Sequence, residues 1–125
     1  MIFLYFLMEK KVAILDPGAQ YGKVIDRRCR ELRVESELFP LSISSSELKD
    51  DYGAIIIAGG HQSVYDEDSP NYDGGIFSIG IPMLGICYGK QLLNLVNGGT
   101  VERKGIREDG QCCIEVETDS KLFRG

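Results

Sequence analysis

The stretch "AIIIAGG", residues 54–60, constrains this chain more than any other. Three consecutive isoleucines between alanines show no polar alternation, so the segment fits a β-strand with protein on both faces and not one with a solvated side. A double glycine then breaks it. "IPMLGIC" (Ile81 to Cys87) follows the same logic, and "KVAILD" (Lys11 to Asp16) is another short apolar run, stopped by "PGAQYG". Beyond that stop, Ile25, Cys29 and Leu32 recur at spacings of four and three, which gives one helical face and a strand-turn-helix reading for residues 11–33. Beyond Cys87, "YGKQLLNLVNGG" places Leu92, Leu95 and Val96 on one face ahead of an Asn-Gly-Gly stop. "ESELFP" (Glu35 to Pro40) reads as a strand ended by proline, and "SISSSELKDDYG" as a polar connection with one helical turn. Short buried strands alternating with amphipathic helices indicate a parallel sheet with right-handed crossovers, hence a doubly wound α/β architecture. The tail differs: "GTVERK" and "CCIEVET" (Cys112 to Thr118) read as two strands joined by the charged turn "GIREDG", with no helix between them.

Composition narrows the class. The 125 residues fit one domain, and 43% apolar residues suffice for one hydrophobic core. A formal net charge of -5 gives the long-range field the wrong sign for phosphate backbones or anionic membranes, so neither nucleic acid nor a membrane is an expected partner. The opening "MIFLYFLMEKK" holds a seven-residue apolar run from Ile2 to Met8, far short of the ~18 residues that span a bilayer. It has no basic region ahead of it and no small-residue cleavage site, so residues 1–10 read as an N-terminal extension that packs as an extra strand turn or stays loose. Cys29, Cys87, Cys112 and Cys113 form neither a C-x-x-C pair nor a Cys/His zinc pattern, and adjacent Cys112 and Cys113 cannot easily bridge each other. Reduced thiols in a cytosolic protein, and no metal, are the expectation.

In open α/β sheets, ligand sites form beyond the carboxyl ends of the strands. Three glycine-bearing loops fall there: Gly18–Gly22, Gly59–Gly60 and Gly85–Gly89. The last has the form G-x-C-x-G at a strand-to-helix corner, which resembles a nucleophile elbow, with the glycines permitting the tight turn and Cys87 lifted clear of the sheet. A helix starting at the thiol favours its thiolate. The alternative is a small buried hydrophobe at a strand end, the ordinary fate of an unpaired cysteine; Cys29, Cys112 and Cys113 are read that way, on a helix face and in a strand. A thiol acting on an amide also needs donors for the developing oxyanion and a base. The N–H of Tyr88 and one from the Gly59/Gly60 loop are placed by this topology to be the donors. The base is harder to find, because His61 is the single histidine and a loop histidine is more often a solvated or packing residue.

"ILDPGAQYGKVIDRRCREL", "IIIAGGHQSVYDEDSP", "PMLGICYGKQLLNLVNGGTV", "REDG" and the terminal "SKLFRG" together resemble the class I glutamine amidotransferase family, in the branch that forms the N-terminal domain of GMP synthases. The resemblance covers residues 11–125. It implies a flavodoxin-like, three-layer α/β/α fold with a mostly parallel sheet, truncated on its C-terminal side. It also implies that Cys87 attacks the side-chain amide of glutamine, with Gly60 and Tyr88 as the oxyanion hole. Gln91, with Gly59 and Gly89, would bind the substrate. The ammonia would pass to an ATP-pyrophosphatase domain that aminates XMP to GMP with ATP and Mg2+, the glutaminase domain itself needing no cofactor. The family's later histidine and glutamate have no counterpart in residues 1–125, so the chain as given is expected to be alkylated at Cys87 but to turn glutamine over poorly. His61 stands where the family has proline in a G-G-P loop, either loosening the turn or acting as a harmless variant. A shortened sheet should also leave an unpaired edge and exposed apolar surface.

A non-catalytic interaction remnant of the same fold and a redox-sensing domain using Cys87 are the competing classes. The oligomeric state is not legible. "RRCRELR" (Arg27 to Arg33) reads as a solvated helix face or a surface docking on another domain. "DEDSP" (Asp66 to Pro70) reads as a loop or helix start and not a metal site, and "GKQ" lacks P-loop spacing.

Overall fold

The computed structural model describes residues 10–18, 20–48, 50–103, 111 and 113–123. Four parallel strands form one sheet in the order β2-β1-β3-β4: β1 (Lys11–Asp16), β2 (Ser36–Pro40), β3 (Tyr52–Ile57) and β4 (Met83–Gly85). The helices are α1 (Tyr21–Glu31), α2 (Ser45–Leu48) and α3 (Tyr88–Val96), with a 3-10 helix at Gly74–Ser78. Strand order 2-1-3-4 is that of flavodoxin-like sheets, with the chain reversing its direction of growth between β1 and β3.

The register sorts the strand residues into two faces. Ala13, Leu15, Ile55 and Ile57 line one face, joined by Phe39 and Met83. Against them pack Leu41 and Leu48, Ile76 of the 3-10 helix, and Tyr88 and Leu92 of α3. This is the main core, and each fully buried isoleucine or leucine in it stabilises the fold by roughly 1.5–3 kcal/mol. Val12, Ile14, Ala54, Ile56, Leu38 and Leu84 line the other face. There α1 covers β1 and β2, coming so close that a Cβ on Gly22 would lie 2.5 Å from Leu38 Cδ1. Helices on both faces give the expected three layers.

Three expectations change. The segments read as tail strands are not strands: Val101–Arg103 and Cys113–Thr118 pair with nothing in the sheet, and Cys113 and Ile114 are exposed. Neither segment pairs with an edge strand of the sheet, β2 or β4. Leu32 does not belong to a buried helical face, because α1 ends at Glu31 and Leu32, its C-cap, is 76% exposed. The isoleucine strand is not closed equally on both sides, since Ile55 and Ile57 are buried while Ile56 is half-buried. The expected single helical turn in the polar connection is α2, whereas the 3-10 helix, capped by Asp73 accepting from the Gly75 N–H, carries no helical periodicity in the sequence. Residues 1–9, the turn at 105–110, Cys112 and Gly125 lie outside the described residues.

Candidate active site

Because all four strands run parallel, the loops after β1, β3 and β4 emerge at one edge of the sheet. They meet there. A Cβ on Gly59 would lie 3.2 Å from Cys87 Cβ, and one on Gly60 would lie 3.0 Å from Pro17 Cγ and 3.7 Å from Tyr88 Cβ. Asp16 turns the first loop by accepting the Gly18 N–H at 2.8 Å, in an Asx-type turn.

At the corner itself the strained residue is the cysteine. Cys87 has φ 54° and ψ −110°, a conformation that side chains rarely adopt and that costs about 1–3 kcal/mol. The flanking glycines do something other than the turn expected of them, since neither has a positive φ. They let the helix lie on the sheet: a Cβ on Gly85 would fall 2.5 Å from the Gly89 carbonyl, and one on Gly89 would fall 2.2 Å from the Ile57 carbonyl oxygen. The corner is tied by Ile86 N–H donating to Ile57 O at 3.0 Å and Gly89 N–H to Ile86 O at 3.0 Å. Cys87 thus stands at the N-cap of α3, exposed, with its side chain making no capping hydrogen bond. The buried-hydrophobe alternative fails for this thiol. Cys29, by contrast, is half-buried on α1.

Cys87 opens into a cleft of about 310 Å³ lined by Tyr21, Val24, Ile25, Gly59, Gly60, Ile86 and Cys87. The structure therefore brings Cys87, Gly59 and Gly60 together in one cavity, with Tyr88 directly behind. Tyr88 is the first residue of α3, so its N–H has no acceptor one turn back within the helix. Gly89 serves as the packing point of helix on strand. Gln91 is not in this cleft. Its N–H donates to Cys87 O at 3.2 Å, and its side chain lines a separate hollow of about 410 Å³ with Lys90, Asn94, Thr100 and Val101, its Oε1 buried without a partner. His61 is exposed and does not line the cleft; its ring lies 6.0 Å from that of Tyr21, tilted by 57°. Sequence reasoning missed Tyr21, Val24 and Ile25 as cleft walls, although the position of "QYG" just beyond the first strand was a signal for Tyr21.

Away from the site, Arg27 and Arg28 pair with Glu31, and Arg30 with Asp26, along an exposed helix surface. Asp66 is a loop organiser, accepting the Ser63 N–H at 2.6 Å and pairing with Arg103 at 3.1 Å. Among the described residues no cluster of His, Cys, Asp and Glu could hold a metal ion, and no helix is long and apolar enough to cross a membrane.

A flavodoxin-like parallel sheet with a cysteine at the tip of a strand-helix elbow, facing a glycine loop across a small cleft, defines an α/β protein of the elbow type. Residues 13–125 match the family described as glutamine amidotransferase class-I, and the chain belongs to that family. It is 55% identical over 118 residues to a Caenorhabditis elegans protein named probable glutamine-hydrolyzing GMP synthase, covering 93% of this chain and 16% of that protein. A glutamine-hydrolyzing GMP synthase of Listeria innocua is 49% identical over 121 residues, covering 96% of this chain and 23% of the relative. The chain thus spans less than a quarter of the length of these two relatives. A Thermoplasma acidophilum protein, solved by crystallography and named for a GMP synthase subunit, superposes with a TM-score of 0.61 at 31% identity, over 72% of this chain and 46% of that one.

Proposed function

We propose that this chain carries the glutamine-hydrolysing half-reaction of a GMP synthase. The observation that carries the reading is Cys87, exposed at a strained φ of 54° and facing Gly59 and Gly60 across a cleft. That geometry holds a sulfur where a small amide could reach it. The sulfur attacks the side-chain amide carbon of glutamine, and the N–H groups of Gly60 and Tyr88 receive the developing oxyanion. As the tetrahedral species collapses, the thiol proton passes to the amide nitrogen, the C–N bond breaks to release ammonia, and a glutamyl thioester is left. Water then hydrolyses the thioester to glutamate and the free thiol. Gly59 is proposed to let the substrate approach the sulfur, whereas Gln91, whose side chain lines a separate hollow, and Gly89, packed on the Ile57 carbonyl, are not proposed to touch it. No cofactor is needed for this half.

The ammonia is proposed to serve the amination of XMP to GMP at an ATP-pyrophosphatase domain using ATP and Mg2+, in purine nucleotide synthesis. A cytosolic location accords with that pathway. Relatives named as glutamine-hydrolyzing GMP synthases support the assignment. His61, exposed and tilted against Tyr21 without lining the cleft, is not proposed as the base, so residues 1–125 are expected to be alkylated at Cys87 without efficient turnover.

The test is the rate at which iodoacetamide labels Cys87, followed on its own peptide by mass spectrometry. Free glutamine should slow the labelling in a saturable way, and glutamate or asparagine should do so less. Labelling unaffected by glutamine, combined with ready oxidation of Cys87 by peroxide, would overturn the reading in favour of a redox thiol.

A further inference from the structure

The ring of Tyr88 lies inside the core with the residue 1% exposed, and its hydroxyl shares a 2.8 Å hydrogen bond with Ser69 Oγ. A buried phenol needs such a partner. Here the partner sits on the loop that begins at Gly60. That loop is internally tied: Asp66 N–H donates to Ser63 O at 3.0 Å, and Ser69 N–H donates to Asp66 O at 2.9 Å. It is also anchored outward, with Val101 N–H donating to the Tyr65 hydroxyl at 2.8 Å and Arg103 paired to Asp66.

One end of this loop carries the Gly60 amide and the other carries Ser69, while Tyr88 carries the second amide. The Ser69–Tyr88 bond therefore cross-links the two pieces of backbone whose separation sets the width of an oxyanion hole. We propose that Ser69 is a positioning residue, which through the Tyr88 hydroxyl fixes the Tyr88 N–H relative to the Gly60 N–H. This rests on the glutamine-hydrolysing reading above. Ser69 does not touch the cleft, so its loss leaves the thiol in place and misaligns the donors. Outright removal of one oxyanion donor costs about 10²–10³ in rate, and a displaced donor costs less, about tenfold.

The experiment uses the full chain and two probes of Cys87. 5-Oxopentanoate has the chain length of glutamine with an aldehyde at the reacting carbon. The sulfur adds to it, the S–C bond forms as the carbonyl π bond opens, and the thiol proton passes to the oxygen, so its affinity depends on the oxyanion donors. Iodoacetamide alkylates the sulfur by displacing iodide and uses no oxyanion hole. Protection of the Cys87 peptide from iodoacetamide by graded 5-oxopentanoate gives the half-protecting concentration. Ser69→Ala should raise that concentration about tenfold, with the unprotected alkylation rate and protection by glutamine unchanged within twofold. Ser69→Thr, which keeps the hydroxyl, should restore the wild-type value. Tyr88→Phe should show the same loss as Ser69→Ala, and the double variant should show no further loss.

Equal aldehyde protection in wild type and Ser69→Ala would overturn the proposal, as would a Ser69→Ala loss that Ser69→Thr does not restore. So would a Ser69→Ala change in the alkylation rate itself, which would mark a general disturbance of the corner. A wild-type Cys87 protected by neither glutamine nor the aldehyde would overturn the glutamine reading itself, and the two failures are thereby distinguished.

Discussion

On one face of the sheet, Ala13, Leu15, Ile55 and Ile57 are closed off beneath α2, the 3-10 helix and α3, with at most 1% of any of them exposed. On the other, Ile14 is equally closed beneath α1, yet Val12, Ala54, Ile56 and Leu84 are half-buried. Four of these residues, Val12, Ala54, Ile56 and Leu84, line a cleft of about 480 Å³ to which the later residues Lys121 and Leu122 contribute. The strand residues on the two faces are chemically alike. What differs is which elements reach them: three elements converge on the first face, and α1 covers only the β1 and β2 half of the second. A buried strand sequence specifies that both sides want cover, and how much cover arrives is settled elsewhere in the chain.

The largest effect that tests this comparison belongs to Gly89, which lets α3 lie down on the closed face. Gly89→Ala puts a Cβ 2.2 Å from the Ile57 carbonyl oxygen, two backbone elements that cannot both yield, and should cost about 3 kcal/mol or more. Gly80→Ala has nothing within 4 Å and only a φ of 85° to object to, so it should cost about 1 kcal/mol. Urea unfolding of both variants checks the pair, and equal midpoints would break the close-approach account. Adjacent isoleucines give the next largest contrast. Ile57→Ala, in the closed face, should lose about 2–5 kcal/mol, and Ile56→Ala, in the half-covered one, less than half as much. Indistinguishable losses would erase the difference between the faces.

The smallest expected effect lies at the amino edge of the closed face, where Lys11 and the Tyr52 hydroxyl both donate to Glu37. Burial first and then Glu37 raise the Tyr52 pKa, and the hydrogen bond and charge of Glu37 raise that of Lys11. Folded-state values above the unfolded ones mean stability that is complete below about pH 10 and is lost as pH rises further. Glu37 is lowered, chiefly by its hydrogen bond from Lys11, so its contribution is present above about pH 4.3 and fades as pH falls. Melting temperature against pH should therefore fall on the alkaline side, and Tyr52→Phe should flatten part of that fall. An unchanged alkaline limb in Tyr52→Phe would remove Tyr52 from the account.

Short-range signals were legible wherever local chemistry decides the outcome. The four strands, the two longer helices and the elbow cysteine could be read because period, glycine stops and apolar runs act over a few residues, as at "AIIIAGG" and "GICYG". The parallel order followed from the alternation of strand and helix. Other features depended on residues far apart in the chain. Gly85 and Gly89 were readable as glycines of a corner, but their actual work, admitting Ile57 and the helix backbone to each other, appears only when β3, β4 and α3 meet. Cys112 to Thr118 had the apolar pattern of a strand, and a strand also needs a hydrogen-bonding neighbour, which no local pattern supplies. Tyr21 came to wall the Cys87 cleft, and Ser69 to hold Tyr88, although 66 and 19 positions of sequence separate them. Local propensity is written in adjacent residues, whereas close approach and cover are properties of the space between elements, and they exist once the sheet has brought its loops to one edge.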